Sequence, residues 1–521
     1  MKVKFNNVNV FIGKDQNEEI YKKIKENGIA KKDIKSIKYL KRSIDSRKKE
    51  SIKIVYNLEL ELKKNIDIST KKAFQLVTEK SIIERKAKKV DGTIAIIGTG
   101  PSGLFSALRL AELGFETLIF ERGEKVEDRI KTVDKFWSDS ILNENSNAQF
   151  GEGGAGTFSD GKLTARGKSP YKNRVFDEFV SLGANKDILY DYKPHIGTDV
   201  LRNVVKNLRN KIEKLGGKFY FNSTLTNIVV ENEKISQIII NDSEKIDVSH
   251  LILGIGHSAR DTYKMLHENG VAMENKDFAI GTRIEHPREA IDKMQYGRYH
   301  NHSLLGSAPY QFVYNNKQEQ RGVFTFCPCP GGEIINASSI NNTSLVNGMS
   351  NKKRNGLFTN SAVVVSVNER DYGKELFAGM KLQEEIEKKS YEIMKIHGAL
   401  YQNLLDFTKG KTTKNKIKSS YTMELESYDL NKIFPANITR NLKKAFNSWS
   451  KNEDFISKEA NLIGTETRTS APLRILRDKQ GVSISIKNLY PIGEGAGYAG
   501  GIISAAIDGI TTVDMNFTEE K

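Results

Sequence analysis

The chain has 521 residues, of which 38% are hydrophobic and 9% aromatic, so two or three packed domains are expected and wholesale disorder is excluded. Its net charge of +16 could attract nucleic acid or an anionic membrane, but acidic residues are interleaved almost everywhere, which favours solvated lysine faces. The sequence has neither an apolar run of about 18 residues nor the core of a signal peptide, so we expect a cytoplasmic protein without a membrane span.

Residues 1–88 are expected to form a small basic α+β domain. VKFNNVNVFI has the pattern of a strand, NEEIYKKIKENG that of a helix ending at a glycine, and SIKIVYNLELEL alternates like a half-buried strand. The charged segment TEKSIIERKAKKVDG, residues 78–92, then leads into a glycine-rich stretch and contains the expected domain boundary.

The next segment reads as strand, turn, helix and strand: TIAIIG, TGPSG, LFSALRLAELG and TLIFER. Its turn carries the pattern G-x-G-x-x-G at Gly98, Gly100 and Gly103. The first glycine permits the tight turn, the second lets the backbone approach a pyrophosphate, and the third lets helix and strand pack closely. The N-terminus of the following helix would face the anion. This βαβ context predicts a dinucleotide site.

Two further elements indicate which dinucleotide binds. Glu121 closes the second strand, 18 residues after Gly103, where a carboxylate can accept hydrogen bonds from a ribose. Nearly 400 residues later, YPIGEGAGYAGGIISAAIDG offers a carboxylate at Glu494 and glycines that open a helix at Ile502. That helix N-terminus can stabilise negative charge at N1 and O2 of a reduced flavin. Two such distant elements favour FAD over the alternative, NAD.

The predicted fold class is therefore α/β, with a Rossmann-like FAD-binding domain in two parts, residues 89–264 and 481–521. Within the first part we expect a helix over residues 198–215, short strands after it, and a buried strand in HLILGIG. Residues 265–480 are less periodic and are expected to form an inserted α+β substrate domain. No second G-x-G-x-x-G occurs, so NAD(P)H, as a reductant, would bind only transiently over the flavin.

Six blocks carry a resemblance to a known family: IGTGPSGLFSALRLAELGFETLIFERG, QFGEGGAGTFSDGKLTAR, LILGIGHSARDTY, FCPCPGGEIINASS, GTETRTSAPLRILRD and GEGAGYAGGIISAAIDG. The chain resembles the bacterial FAD-dependent, or NAD(FAD)-utilising, dehydrogenases of the glutathione-reductase-like FAD/NAD(P)-binding superfamily. The resemblance extends over nearly the entire chain. It implies FAD as cofactor and leaves the substrate open, because the reaction of that family is largely undefined.

The resemblance also implies roles for individual residues. Glu121 would bind the adenosine ribose with Arg122 beside the adenine half, and the backbone of Val229 would meet adenine. Ser159, Asp160 and Lys162 would wrap the middle of FAD or the flavin edge, with an ordinary glycine turn as the alternative. The full set of expected FAD contacts is Gly98, Gly100, Pro101, Ser102, Gly103, Glu121, Arg122, Gly154, Ser159, Gly161, Lys162, Val229, Gly254, Gly256, Gly493, Glu494, Gly500, Gly501 and Ile502.

This sequence departs from the family pattern at two of these places. Many relatives carry Ala-Thr-Gly where this chain has Gly254, Ile255 and Gly256. Many also carry Gly-Asp where it has Gly493 and Glu494, so the side chain expected to hold the ribityl chain is one methylene longer.

No catalytic acid or base stands out; the candidates are Lys162, Cys327, Cys329, Glu466 and Arg468. The cysteines lie one residue apart in FCPCPGG, where a stiff turn lining a cavity is favoured over thiol redox chemistry with the flavin. They are the only two in the chain, which excludes a disulfide framework.

Other polar side chains leave alternatives open. Arg468 and Arg474, close to Glu466, could clamp a substrate carboxylate or phosphate, or could form a salt-bridged connection between domains. His257 could approach the flavin, but a structural role is favoured. His300 and His302 lack a further ligand nearby, so no metal is expected.

The sequence thus predicts an FAD-dependent oxidoreductase that transfers a hydride through flavin N5 to or from an unidentified small molecule. One alternative is an FAD-dependent monooxygenase, because GIGHSAR superficially resembles a motif of aromatic hydroxylases, although the Asp-Gly of that motif is missing. Another is an FAD protein that binds or acts on RNA, or another macromolecule, through its basic N-terminal domain.

Overall fold

The N-terminal residues form an antiparallel sheet with one helix beside it. In the computed structural model, which describes residues 1–68, 71–77, 85–165, 167 and 169–520, the elements are β1 Lys2–Phe11, α1 Gln16–Glu26, β2 Ile34–Asp45, β3 Lys53–Leu62, β4 Phe74–Leu76 and β5 Arg85–Ala87. The sheet order is β2-β3-β1-β4. The predicted strands and helix are confirmed, and a further strand, β2, occupies a lysine-rich stretch whose pattern predicts no element. Residues 78–84 of the expected boundary segment lie outside the described residues.

A βαβ unit and a second amphipathic region follow. Their elements are β6 Ile94–Ile97, α2 Pro101–Glu112, β7 Thr117–Phe120, α3 Val126–Asp139, α4 Tyr171–Ser181, α5 Thr198–Lys214, β8 Lys218–Tyr220, β9 Leu225–Glu231, β10 Lys234–Ile240, β11 Glu244–Asp247, β12 His250–Leu253 and α6 Arg260–Glu268. The helix expected at 198–215 is α5, and the buried strand expected in HLILGIG is β12. The strands β9, β10 and β11 form a separate small antiparallel sheet.

The region of weak periodicity contains the largest sheet. Its elements are β13 Met273–Asn275, β14 Phe278–Pro287, α7 Arg288–Tyr296, β15 Val313–Asn316, β16 Arg321–Cys329, β17 Glu333–Asn336, β18 Val346–Met349, β19 Phe358–Val367, α8 Glu369–Tyr372, α9 Ala378–Met394, β20 Ala399–Asn403, α10 Leu404–Lys409, β21 Leu425–Ser427, α11 Ala436–Ser448, β22 Asn461–Glu466 and β23 Leu473–Ile475. Seven of these strands pair in the order β15-β16-β19-β14-β22-β20-β21.

The last elements return to the βαβ unit. They are β24 Leu489–Pro491, α12 Ile502–Phe517 and β25 Thr518–Glu520. Strand β24 pairs in parallel with β12 and completes a five-stranded parallel sheet, β24-β12-β6-β7-β8. Because the strands are parallel, their carboxyl ends meet at one edge, where ligands bind in open α/β sheets. The α/β class is confirmed, and the division of the chain at residues 88, 264 and 480 stays a prediction.

The N-terminal sheet packs against the rest of the chain. One buried hydrophobic cluster contains Val3 and Ile54 of that sheet together with Phe278 and Ile280 of β14. Strand β5 also pairs with the C-terminal strand β25. Among the described residues, no helix combines the length and the apolar character needed to cross a membrane.

Candidate functional site

In the glycine turn between β6 and α2, two glycines are closely packed against backbone and the third is open to a cavity. A side chain at Gly98, whose φ is +91°, would collide with the carbonyl oxygen of Gly254, and one at Gly103 would collide with that of Gly98. A side chain at Gly100 would meet no atom within 4 Å, since this residue faces a cavity. Gly100 caps α2 without any side-chain hydrogen bond to the helix N-terminus. The first-turn amides of α2 are thus available to an anion.

The cavity has a volume of about 660 Å³, which lies within the range of small-molecule sites. It is formed by the carboxyl edge of the parallel sheet on one side and by the seven-stranded sheet region on the other. The predicted FAD contacts that line it are Gly98, Gly100, Pro101, Ser102, Glu121, Arg122, Gly154, Ser159, Lys162, Gly254, Gly256, Glu494, Gly500, Gly501 and Ile502. Gly103, Gly161 and Gly493 do not line it, and Val229 lies in β9 away from its wall.

At one end of the cavity, the carboxylate of Glu121 joins two loops through hydrogen bonds. It is 5% exposed, and its carboxylate accepts hydrogen bonds from the amide and hydroxyl of Thr99, at 2.8 and 2.7 Å, and from the amides of Gly123 and Gly151, at 3.0 and 3.1 Å. A carboxylate has about four acceptor positions, and these contacts already fill them. The observed contacts of Glu121 are therefore structural, and its contact with a ribose stays a prediction.

Arg122 lies beside Glu121 and is fixed in position. Its guanidinium donates to both carboxylate oxygens of Asp261, at 2.9 and 3.0 Å, and to the hydroxyl of Thr262. It also lies 4.5 Å from the ring centroid of Phe150. This end of the cavity thus combines a paired cation with an aromatic ring.

The N-terminus of α12 lies on the wall of the same cavity. Gly501, with φ of +111°, caps this helix without a side-chain hydrogen bond. Glu494 lines the cavity nearby, and none of the described residues donates a hydrogen bond to its carboxyl group. Burial raises the pKa of Glu494 to about 7, and Lys276 opposes this only in part. Its carboxyl oxygens are thus open to donors from the cavity, and the hydroxyls of a polyol chain would supply them.

One loop, residues 153–165, runs along the cavity and contacts three parts of its wall in turn. A side chain at Gly154 would lie 3.1 Å from the Cα of Gly100, and one at Gly156 would lie 3.2 Å from Ile502. A few residues later, Lys162 lies 3.9 Å from the thiol of Cys329 in β16. The loop therefore runs from the glycine turn, past the start of α12, to the seven-stranded sheet region. The block GTFSDGKLTAR ends at residue 166, outside the described residues.

Asp160 is the buried anchor of a charged cluster at the far end of this loop. Its carboxylate lies 3.0 Å from Lys162 Nζ and accepts a hydrogen bond of 2.9 Å from Arg354 Nε, and the hydroxyl of Ser350 also donates to it. Burial alone would raise the pKa of Asp160, but Lys162 and Arg354 hold it well below its usual range. Asp160 is thus an ionised carboxylate that holds two cations at the cavity wall.

The two cysteines have different surroundings. Cys327, with φ of +51°, lines the cavity, and its carbonyl accepts a hydrogen bond of 2.9 Å from Arg283. Cys329 is 1% exposed and lies 3.3 Å from Arg283 Nη2. Burial raises the pKa of the Cys329 thiol, and the opposing effect of Lys162 and Arg283 does not reverse this. The expected stiff turn is wrong, because both cysteines lie in strand β16, where the register with β19 shifts between Phe326 and Cys329. Of the two, only Cys327 lines the cavity, and redox chemistry of the thiols stays a hypothesis.

The other candidate side chains are mostly engaged in ion pairs. Glu466 lines the cavity and pairs with the fully buried Arg283 at 2.7 Å. Arg468 also lines it and donates to both carboxylate oxygens of buried Glu387, at 2.9 and 2.7 Å. Arg468 is thus held in a salt bridge, but its partner lies within the same predicted domain, residues 265–480, so the expected connection between domains stays a prediction. Arg474 does not line the cavity and pairs with Glu274 at 2.9 Å.

Of the three candidate histidines, one lies on the cavity wall and two lie outside it. His257 lines the cavity and is within 2.9 Å of the Ser258 hydroxyl. Burial lowers its pKa to about 4, helped by the nearby Arg468 and Arg260, so its imidazole is neutral at pH 7. His300 and His302 lie outside the cavity wall.

Comparisons with known proteins agree with a flavin site. Residues 277–469 match a family described as FAD-dependent protein, C-terminal domain-like, and residues 3–61 match a domain of unknown function. An uncharacterized protein of Clostridium beijerinckii (strain ATCC 51743 / NCIMB 8052) is 41% identical over 531 residues, which cover 99% of this chain and 98% of that protein. The chain belongs to the family of that protein. The match over residues 277–469 supports a FAD-binding family.

Solved structures show more distant likenesses. Glycine oxidase from Bacillus cereus ATCC 14579 is 12% identical, with a TM-score of 0.33 over 82% of this chain and 97% of its own. CtdE in complex with FAD is 12% identical, with a TM-score of 0.30 over 82% of this chain and 84% of its own. Because these TM-scores lie below 0.5, nothing about activity follows from them.

Sequence reasoning missed several residues that belong to this cavity or support its wall. Arg354 and Lys193 line it but lie in loops without a recognisable motif. Buried Arg283 had a usable signal, because a charged residue in the otherwise apolar run of β14 must find a partner. Glu387 sits on α9 at an inward-facing position and offers a similar signal.

Proposed function

We propose that the protein is an FAD-dependent oxidoreductase that passes a hydride through flavin N5 to or from a small molecule. The observation that carries this proposal is that two helix N-termini without side-chain caps, at Gly100 and Gly501, lie on the wall of one cavity. Each favours negative charge, the first on a pyrophosphate and the second on the ring of a reduced flavin. The match of residues 277–469 to a family described as FAD-dependent supports the same cofactor.

The residues of the cavity fit the successive parts of FAD. Arg122 and Phe150 would flank the adenosine half, and the open backbone at Gly100 would approach the pyrophosphate. Glu494 would accept hydrogen bonds from the ribityl hydroxyls, which supplies the partners its carboxyl lacks. The ring would then lie between the start of α12 and Lys162. Bound there, FAD supplies the hydride transfer itself.

Lys162 would supply positive charge at that end of the cavity, and His257 lies elsewhere on the wall of the same cavity. Burial would lower the pKa of Lys162, but Asp160 raises it, so the ammonium group stays charged. A fixed positive charge beside the ring favours a reduced flavin that carries negative charge. His257 also lines the cavity and is neutral at pH 7, so its imidazole would offer a ring nitrogen to the ligand as a hydrogen-bond acceptor. NAD(P)H, as reductant, would enter the same cavity transiently.

The first experiment measures FAD bound to the purified protein and to a Gly100→Val variant. Gly100 has an extended backbone, with φ of −67° and ψ of 176°, which valine can adopt. The added side chain would occupy the cavity where a pyrophosphate must approach. We expect FAD affinity to fall by about tenfold or more, because charge-assisted hydrogen bonds to the anion are lost.

The matched control is Gly322→Val in β16. Its added Cβ would have no neighbour closer than 3.9 Å, and it lies outside the cavity wall. This variant should retain FAD like the unsubstituted protein, and both variants should unfold at similar temperatures without FAD. Absence of FAD from the reconstituted protein, or full FAD retention by Gly100→Val, would refute the proposed seat. Stopped-flow reduction by NADH and by NADPH then identifies the electron donor.

A further inference from the structure

We propose that the end of the cavity lined by Lys162, Lys193 and Arg354, here called the cationic end, binds an oxyanion of the substrate, either a carboxylate or a phosphate ester. This inference rests on the proposed function, because it places the substrate group beside the part of the cavity assigned to the flavin ring. It adds the chemical class of the substrate, which the proposed function leaves open.

The charges on the cavity wall support an anionic ligand there. Elsewhere on the wall, the cationic side chains have acidic partners of their own: Arg122 pairs with Asp261, and Arg468 pairs with Glu387. At the cationic end, Lys162 and Arg354 share the single carboxylate of Asp160. Lys193 has no acidic partner among the described residues. Three cations and one anion leave a surplus of two positive charges, which an oxyanion would compensate.

The cluster is also arranged to receive such a group. Arg354 directs Nε and Nη2 at Asp160, which leaves Nη1 without a partner in the described part of the chain. Lys193 reaches solvent, but the partial burial of its side chain on the cavity wall lowers its pKa, and the neighbouring Arg354 lowers it further. The two cations therefore repel each other in the free protein, and an oxyanion between them would remove that repulsion. Arginine matches both carboxylate and phosphate in geometry.

Apolar residues at the same end indicate what the oxyanion is attached to. Phe326 and Pro328 of β16 and the adjacent Pro309 line the cavity there. Cys329, on the same strand, lies 3.9 Å from Lys162 Nζ, so these residues and the cations share one end of the cavity. A small molecule with an apolar body and one oxyanion fits this combination better than a neutral polyol.

Binding is tested with three probes of the same size and shape class: benzoate, phenyl phosphate and the neutral benzamide. Each is titrated into FAD-loaded protein while the visible flavin absorbance is recorded, and into FAD-free protein while the unfolding temperature is recorded. We expect saturable binding of benzoate or phenyl phosphate in both measurements and much weaker binding of benzamide. The preferred oxyanion distinguishes a carboxylate from a phosphate ester.

The variant is Lys193→Gln, because Lys193 is exposed and its replacement should not disturb folding. Loss of one charge-assisted contact should weaken oxyanion binding by about tenfold, with FAD content unchanged. The control Lys218→Gln changes an exposed lysine on β8 outside the cavity and should leave binding unchanged. Equal binding of benzamide, or unchanged oxyanion binding by Lys193→Gln, would overturn the inference. Missing FAD with intact oxyanion binding would instead count against the proposed function alone.

Discussion

Glu494 lines the cavity, and its carboxyl group receives no hydrogen bond from the described residues. Burial raises its pKa to about 7, whereas a carboxyl in the unfolded chain ionises near pH 4.5. Between these values the unfolded state ionises first, so the folded state becomes less stable as pH rises from about 4.5 to 7. Above pH 7 both states are ionised and the loss is complete.

Replacing Glu494 with glutamine should remove this loss. In FAD-free protein, the difference in unfolding temperature between Glu494→Gln and the unsubstituted chain should grow in favour of the variant from pH 4.5 to pH 8. FAD affinity should behave oppositely: in the unsubstituted chain it should rise near pH 7, because the ionised carboxylate is a stronger acceptor for hydroxyls. The variant should bind FAD several-fold more weakly at pH 8, without that rise.

Glu285 provides a matched control for this prediction. Burial raises its pKa also to about 7, but it lies outside the cavity wall and accepts hydrogen bonds from Ser420. Glu285→Gln can therefore alter the pH dependence of stability, but it should leave the pH dependence of FAD affinity intact. A parallel change in FAD affinity in both variants would contradict the assignment of Glu494 to the ligand.

At the same scale, residues differ in how far sequence alone could place them. The glycines of the turn could be predicted, because their role depends on backbone a few residues away. The contact between Asp160 and Arg354 joins positions that are 194 residues apart. No sequence motif around either residue predicts this contact. Sequence showed that Glu121 follows the glycine turn, but not that backbone amides already occupy its carboxylate.

At the scale of elements, local periodicity predicted the parallel sheet but not the seven-stranded one. Strands β6, β7 and β12 are short apolar runs next to glycine turns, a pattern visible in the sequence. Strand β14 is buried along nearly all its length, so it shows no alternation. It also pairs Gly281 with Glu466, a partner that only the folded chain brings near.

The position of α12 against α2 depends on Gly509. A side chain there would collide with the carbonyl oxygen of Ser102 in the first turn of α2. In a helix interior, alanine is normally more favourable than glycine by about 1 kcal/mol. Here, however, the methyl group of alanine should force the two helices apart. We expect Gly509→Ala to lower the unfolding temperature and to reduce FAD retention, because both helix N-termini line the cavity.

Met515→Ala serves as the control on the same helix. Met515 is 47% exposed, so its truncation should change the unfolding temperature little and leave FAD retention intact. An increase in stability for Gly509→Ala would show that α12 can move away from α2 at no cost, contrary to the close packing observed.

For the whole molecule, the N-terminal sheet must be treated as part of the same core. Its hydrophobic residues join the cluster of β14, and β5 pairs with the C-terminal strand. Deleting residues 1–88 would therefore expose apolar surface. If RNA binding were lost in such a truncated protein, the loss would not show whether the N-terminal sheet binds RNA or whether the protein has misfolded. Charge-reversal variants on exposed lysines of α1 test the RNA hypothesis without that ambiguity.

The attachment of the N-terminal sheet can be measured at one contact. Arg42 of β2 donates to both carboxylate oxygens of Asp191, at 2.7 and 2.8 Å, and its backbone pairs with Tyr190 and Tyr192. We expect Arg42→Ala and Asp191→Ala to lower the free energy of unfolding, with a coupling free energy of about 1 kcal/mol in a double-mutant cycle. Chemical unfolding followed by fluorescence checks this.

The same cycle reports on cooperativity. If the N-terminal sheet and the remaining chain share one core, each variant should shift a single unfolding transition, because weakening the contact destabilises the whole folded state. The double replacement Lys22→Ala and Glu19→Ala removes an exposed ion pair within α1 and should shift that transition much less. A separate early transition in Arg42→Ala would show instead that the N-terminal sheet unfolds by itself and that the shared cluster contributes little to its stability.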